Sequence, residues 1–278
     1  MSDDAAPLVE VRAVSLTYGR SPRRLTGRLR PSTPNAPALR PTSLQLRAGE
    51  CFGLVGESGS GKTTLGNCIA GLARPTTGEV WYRGVVVNSA HGRPRLTRAR
   101  GVQVIFQSPY TSLNPRRKVG SVLAEILRVH KLRPREQVWA RVLELLEEVG
   151  LAPEHADVRP GRLSGGQRQR VAIARALAFE PEVVVADEVV SALDASVQAQ
   201  ILNLLARLRD ELNLTVLFIS HDLAVVRQTC DRVGVMTRGE LVEVGDVDEV
   251  LARPRHPYTR ALLDAVPRLD AGATLSDG

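Results

Sequence analysis

The sequence predicts an α/β fold with a mixed sheet, an N-terminal antiparallel β region and an inserted helical subdomain. Three observations predict it. The apolar runs CFGLVG at 51–56, VVVA at 183–186 and LTVLFI at 214–219 have the composition of strands buried on both faces of a sheet. Amphipathic helical patterns alternate with the later runs, as in a parallel α/β sheet. Between them, 119–150 keeps helical periodicity without a strand, so a small helical unit is set into the alternation.

Taken in order, VEVRAVSL at 9–16 reads as a strand and CFGLVG as the first central strand. Between them GRSPRRLTGRLRPSTPNAPALRP, 19–41, is rich in Pro, Arg, Ser and Gly and reads as a loop. GEVWYRG and VVV at 78–87 form a hairpin, and VQVIF at 102–106 a short strand. In the helical unit Val122, Leu123, Ile126 and Leu127 share one face, and Val138, Val142, Leu145, Leu146 and Val149 another. The strand VVVA, a helix around Ile201, Leu204, Leu205 and Leu208, and the strand LTVLFI follow. MTRGELVEVG at 236–245 closes with a hairpin, and short helices occupy the tail.

At 278 residues and 43% hydrophobic content the chain supports a packed core. Its longest apolar run, LTVLFIS, is far short of the roughly 18 residues a bilayer span needs. The start, MSDDAAPLVE, has no signal-peptide hydrophobic region, so a cytoplasmic chain is expected. Cys51, Cys68 and Cys230 are distant in sequence and lack CxxC spacing, and read as buried small hydrophobes. The net charge of +7 is uneven: eight arginines and no acid lie between Glu10 and Glu50, and eight basic residues and no acid between Glu79 and Glu125. Solvated Arg-rich loops, nucleic-acid contact or contact with anionic headgroups would each suit this pattern.

The chemistry concentrates in a few motifs. GESGSGKTT, 56–64, matches G-x-x-x-x-G-K-[ST] after a strand and before a helix, the pattern of a phosphate loop. Its glycines let backbone N–H groups wrap a β-phosphate, Lys62 brings charge to the β- and γ-phosphates, and Thr63 offers its hydroxyl to magnesium. VVVADE, 183–188, delivers Asp187 for the magnesium shell and Glu188 to orient or deprotonate a water. His221 ends the neighbouring strand, where it could donate to a γ-phosphate or act as a capping histidine. LSGGQ, 163–167, opens a second helix with an anion-binding start at which Ser164 can donate and Gly165 and Gly166 admit close approach. Ser164 also has the form of an ordinary N-cap.

Together with Gln107 in VIFQSPYTSLNP, SALD at 191–194 and SHD at 220–222, these motifs resemble, in order and spacing, the ATP-binding-cassette (ABC) ATPases, over nearly the whole chain. The resemblance implies a P-loop ATPase core over 1–245, with the helical subdomain at about 108–165, and an extension over 246–278. ATP and Mg²⁺ are the implied cofactors. Gly56, Glu57, Ser58, Gly59, Ser60, Gly61, Lys62, Thr63 and Thr64 would hold the nucleotide phosphates. Tyr18 would stack on adenine, and Gln107, with Thr63 and Asp187, would contact magnesium or the attacking water. Glu188, His221, Gln107 and Lys62 would be catalytic, while Ser164, Gly165, Gly166 and Gln167 would face ATP held by a second subunit. Asp194 would lie in the loop linking the two sites, and Val189 replaces a common proline, which would loosen the turn after Glu188.

SPYTSLNP and the tail HPYTRALLDAVP at 256–267 resemble the branch that energises uptake of oligopeptides, dipeptides or nickel. Implied partners are a second ABC ATPase, identical or paralogous, two transmembrane permeases and, indirectly, an extracytoplasmic binding protein. The chain would sit on the cytoplasmic face of the membrane, with no nucleic acid expected. No cysteine follows Cys230, so an iron–sulfur role for the tail is not supported. A soluble ABC ATPase of repair or translation, an exporter ATPase and a non-hydrolysing nucleotide sensor are the alternatives.

Overall fold

Alternation within the central strands builds two cores from one sheet. In β3 (Cys51–Val55), Phe52 and Leu54 enter one apolar cluster while Cys51 and Val55 enter the other. In β7 (Val183–Asp187), Val183 and Val185 part from Val184 and Ala186 in the same way, and in β8 (Thr215–Ile219) Leu217 and Ile219 part from Val216 and Phe218. Successive side chains of a strand point to opposite faces, so a run with no polar residue requires an apolar layer on each side. Each fully buried Val, Leu or Phe there contributes about 1.5–3 kcal/mol.

The computed structural model describes residues 6–18, 36–92, 101–107 and 113–265. With β6 (Val102–Ile105), β9 (Arg232–Thr237) and β10 (Glu240–Asp246), the central strands form a six-stranded sheet in the order β10-β9-β3-β8-β7-β6. All neighbours are parallel except the β9–β10 hairpin, so the sheet is mixed, as the sequence predicts. One face is covered by α1 (Lys62–Ile69) and a four-stranded antiparallel sheet, β2-β1-β4-β5, made of β1 (Val9–Leu16), β2 (Leu39–Leu46), β4 (Thr77–Tyr82) and β5 (Val85–Ser89).

The second of these strands corrects the reading of 19–41 as loop. Leu39 and Pro41 lie in β2, while 19–35 fall outside the described residues. Pro41 is tolerated because β2 is an edge strand of its sheet, and the pairing with β1 is irregular near it, between Val14 and Leu16.

The other face carries the helices. α2 (Val119–Val129) and α3 (Val138–Glu148) pack with a 3-10 turn, Pro153–Asp157, as the helical unit expected from periodicity. The buried face of α2 runs through Val119, Leu123 and Leu127, leaving Val122 and Ile126 half-buried at its margin. Next come α4 (Gly165–Leu177) and α5 (Ala195–Leu212), then α6 (Leu223–Thr229), α7 (Val247–Ala252) and α8 (Pro257–Asp264).

All three cysteines are buried and free, but two of them meet: Cys51 Sγ and Cys230 Sγ lie 3.5 Å apart. The Cys230 contact and burial push the Cys51 thiol well up, and burial alone pushes Cys68 up to about 12. Among the described residues no helix is long and apolar enough to cross a membrane.

Candidate functional site

The parallel strands β3, β6, β7 and β8 end on one edge of the sheet, and the chemically interesting residues follow those ends. Register pairs Leu54 with Ile219, Asp187 with Ile219, and Ile105 with Ala186. The loop 56–61, Gln107, Glu188 and His221 therefore leave the sheet at one level. This is the crevice at the carboxyl ends of the strands where open α/β sheets hold ligands.

The phosphate loop is fixed by its neighbours. A Cβ on Gly56 would come within 2.1 Å of the Met236 carbonyl oxygen, so only glycine fits where the loop leaves β3. Gly61 turns the chain into α1 at φ 104°, in a region that favours glycine. The Gly239 N–H, at the tip of the β9–β10 hairpin, donates to the Ser60 carbonyl at 2.9 Å. Ser60 and Lys62 are buried, whereas Glu57, Ser58, Gly59 and Thr63 are exposed and Thr64 is intermediate. No side chain caps α1, which leaves its first-turn N–H groups for an anion. Lys62 Nζ lies inside the loop and donates to the Gly56 and Glu57 carbonyls at 2.7 and 2.8 Å. Burial lowers its pKa, opposed by the charges of Glu188, Asp187 and Glu57.

Two adjacent acids take different surroundings. Asp187 is buried at the end of β7 and accepts from the Thr63 hydroxyl at 3.2 Å. Burial, with the Glu188 charge, pushes its carboxyl up, and Thr63 and Lys62 only partly counter this. Glu188 turns away, with φ 47° and its N–H on the Ile219 carbonyl at 3.0 Å. Gln107 Nε2 donates to Glu188 Oε2 at 2.7 Å, and His221 Nδ1 stands 3.5 Å from Oε1. The turn after Glu188 holds without the proline: Val189 is 2% exposed, and the Ser191 N–H and hydroxyl donate to the Glu188 carbonyl at 3.2 and 3.0 Å.

The start of α4, expected as a second anion site, carries a helix cap that leaves a hydroxyl proton uncommitted. Ser164 Oγ accepts the Gln167 N–H at 3.2 Å, and Gln167 Oε1 accepts the Ser164 N–H at 2.9 Å, a reciprocal capping box. The cap uses an acceptor lone pair, so the Ser164 O–H remains able to donate. The two glycines differ. A Cβ on Gly166 would lie 2.6 Å from Val197 Cγ1, so this glycine lets α4 pack against α5. On Gly165 it would make an ordinary 3.4 Å contact with Leu193, so no crowding within the chain demands glycine there.

Asp194 caps α5, its Oδ1 accepting the Val197 N–H at 3.0 Å, and that bond with the Ser196 hydroxyl holds its carboxyl below the usual range. Tyr18 lies just beyond β1, 54% exposed, next to a segment outside the described residues. Sequence reasoning did not assign the parts that three neighbours of the site play. Ser191, the first residue of SALD, lies 3.5 Å from Gln107 Nε2, Gly239 braces the loop, and His155 Nε2 meets Gln167 Nε2 at 3.1 Å. Ser191 left a signal in that motif and Gly239 as the turn of an expected hairpin, whereas His155 left none.

A Thr63 hydroxyl beside the Asp187 carboxylate offers hard oxygen donors, and among the described residues no group of three or more His, Cys, Asp or Glu side chains could hold a metal by itself. That set suits an ion completed by phosphate and water, the usual condition of Mg²⁺.

The family described as "ABC transporter" matches residues 39–191, and "Oligopeptide/dipeptide transporter, C-terminal region" matches 242–277. The oligopeptide transport ATP-binding protein OppF of Streptococcus mutans is 45% identical over 271 residues, 97% of this chain and 85% of that protein. The dipeptide transport ATP-binding protein DppF of Escherichia coli is 48% identical over 233 residues, covering 84% and 70%. Among solved structures, cbiO1 from Clostridium perfringens, part of the ABC transporter complex cbiONQ, superposes with a TM-score of 0.75 at 26% identity, covering 89% and 91% of the two chains. A dimeric post-hydrolysis structure of the ATP-binding cassette MJ0796, bound to ADP and Pi, gives 0.71 at 31% identity, covering 86% and 98%.

Proposed function

The chain belongs to the ABC transporter family, and from that premise we propose that it is the ATP-hydrolysing subunit of a peptide importer, working as a dimer on the cytoplasmic face of the membrane. The observation that carries the catalytic reading is the division of labour between Asp187, against Thr63 of the phosphate loop, and Glu188, between Gln107 and His221.

In this reading the loop 56–64 and the start of α1 bind the phosphates of ATP, with Lys62 as their mobile charge. Thr63, Asp187 and Gln107 would hold Mg²⁺, which when bound offsets the charge developing on the phosphates. Glu188 orients and deprotonates the attacking water, and Gln107 holds its carboxylate in place. His221 would reach the γ-phosphate and Tyr18 would stack on adenine. Ser164, Gly165, Gly166 and Gln167 face ATP bound to the partner subunit, so each site has walls from two chains. ATP can then close the pair through its γ-phosphate, and hydrolysis releases it, because a ligand shifts an equilibrium only by its differential contacts.

The match over 242–277 and the names of the relatives support peptide as cargo; in this reading a binding protein delivers it to two permeases. We assign 1–245 to the nucleotide-binding domain, with the helical subdomain at about 108–165, and 246–278 to the extension. The test combines membranes and enzyme. Permeases co-purified with the chain should support ATP-dependent uptake of labelled peptides. Glu188→Gln should still bind ATP and trap a dimer, with turnover at least about 10²-fold lower. Wild-type turnover in that variant, or ATPase activity stimulated by nucleic acid with no permease recovered, would overturn the reading.

A further inference from the structure

The C-terminal segment returns to the phosphate loop. Glu243 of β10 accepts the Arg255 N–H on one carboxylate oxygen at 2.8 Å and the His256 N–H on the other at 3.1 Å. Burial raises its carboxyl, but the neighbouring Thr259 side chain and those two N–H groups outweigh this and leave it below the usual range, even though Thr259 Oγ1 lies outside hydrogen-bond geometry. His256 caps α8, its Nδ1 accepting the Tyr258 N–H at 3.2 Å, and Arg260 ties back to the Pro254 and Arg255 carbonyls at 3.0 and 3.1 Å. Tyr258, Leu262 and Leu263 pack on the main apolar cluster, and Thr259 is 1% exposed.

From this seat the Tyr258 hydroxyl accepts the Glu57 N–H at 3.2 Å. The same peptide unit carries the Gly56 carbonyl, which accepts from Lys62 Nζ at 2.7 Å. A peptide unit is planar, so its N–H and C=O turn together. Tyr258 and Lys62 thus grip the two ends of one plane at the mouth of the loop. The Glu57 N–H, already bonded to Tyr258, is not among the groups left for phosphate.

We propose that Tyr258 is a positioning residue for ATP binding: its hydroxyl fixes the Gly56–Glu57 peptide plane, and so the setting of Lys62, coupling the C-terminal segment to the nucleotide site. This rests on the reading of 56–64 as the ATP site. Coupling of this kind is reciprocal, so ATP must in turn steady α8.

The test uses the full chain with Tyr258→Phe, which keeps the ring and its packing. ATP with Mg²⁺, titrated by calorimetry, should bind about three- to ten-fold more weakly, the worth of one ordinary hydrogen bond. KM should rise with kcat nearly unchanged, and the nucleotide-free Tm should fall by no more than about 2–4 °C, since the same bond is present before ATP binds. Hydrogen exchange should show ATP slowing the 258–264 amides in the wild type and less so in the variant. Wild-type affinity in Tyr258→Phe, or α8 exchange indifferent to ATP in the wild-type chain, overturns the proposal. A wild-type chain that binds no ATP removes the loop assignment itself, and this inference with it.

Discussion

At the scale of single residues, Asp187 carries a tension between stability and function. Its carboxylate is buried, and burial together with Glu188 raises its pKa despite Thr63 and Lys62. A carboxyl whose folded pKa exceeds its unfolded one binds protons more tightly when folded. The cost of burying its charge is therefore complete above the folded pKa and absent below the unfolded value near ~3.9. Asp187→Asn keeps an acceptor for the Thr63 hydroxyl and removes the charge. The nucleotide-free variant should melt about 2–4 °C above the wild type near pH 8, the shift about 1 kcal/mol gives in a domain of this size. The difference should close as the pH falls toward 4. Stabilisation by Mg²⁺ with ATP should meanwhile be lost. Melting curves across pH check both, and a variant less stable than the wild type at pH 8 would show that Asp187 is not strained by its burial.

At the scale of elements, the start of α4 separates packing from recognition. Gly166 faces Val197 of α5 at a distance no Cβ could occupy, and a β-branched side chain in a helix yields little. Gly166→Ala should cost about 1–3 kcal/mol through overpacking. Gly165→Ala meets only an ordinary contact and gains helix propensity, so its Tm should be unchanged or slightly raised. If Gly165 serves the partner's nucleotide, turnover of that variant should fall at least about ten-fold with dimerisation intact, about 1.4 kcal/mol of lost transition-state contact. Thermal melts beside ATPase assays separate the two; wild-type turnover in Gly165→Ala would remove the recognition role. Much of this organisation was legible, because unbroken apolar runs such as VVVA demand cover on both faces and GESGSGKTT needs a strand before it and a helix after it. β2 was not legible: Pro41 and the arginines around it read as loop, and only pairing with β1 makes LRPTSLQL a strand. The contacts of His155 and Tyr258 were hidden for a related reason, since their partners Gln167 and Glu57 are brought to them by tertiary packing rather than by any local pattern.

At the scale of the whole molecule, the phosphate loop and the serine-capped helix belong to different parts of the structure. The loop sits at the carboxyl edge of the six-stranded sheet, whereas Ser164 and Gln167 bond to each other, and Gln167 to His155 in the helical unit. If both face phosphate, as proposed, one chain offers two such surfaces, and a two-fold pair is the simplest assembly that brings each onto the other. Chains carrying Lys62→Ala and chains carrying Ser164→Ala should each be inactive alone. Mixed one to one, about half the dimers are hybrids, and each hybrid has one site with both Lys62 and Ser164 intact and one with neither. If the sites turn over independently, the mixture should recover about a quarter of wild-type turnover; a lower but measurable rate would report coupling between the sites. ATPase assays on tag-purified hybrids decide the matter. Verified hybrids with no turnover, or full activity from a strictly monomeric wild-type chain, would leave Ser164 as a helix cap alone.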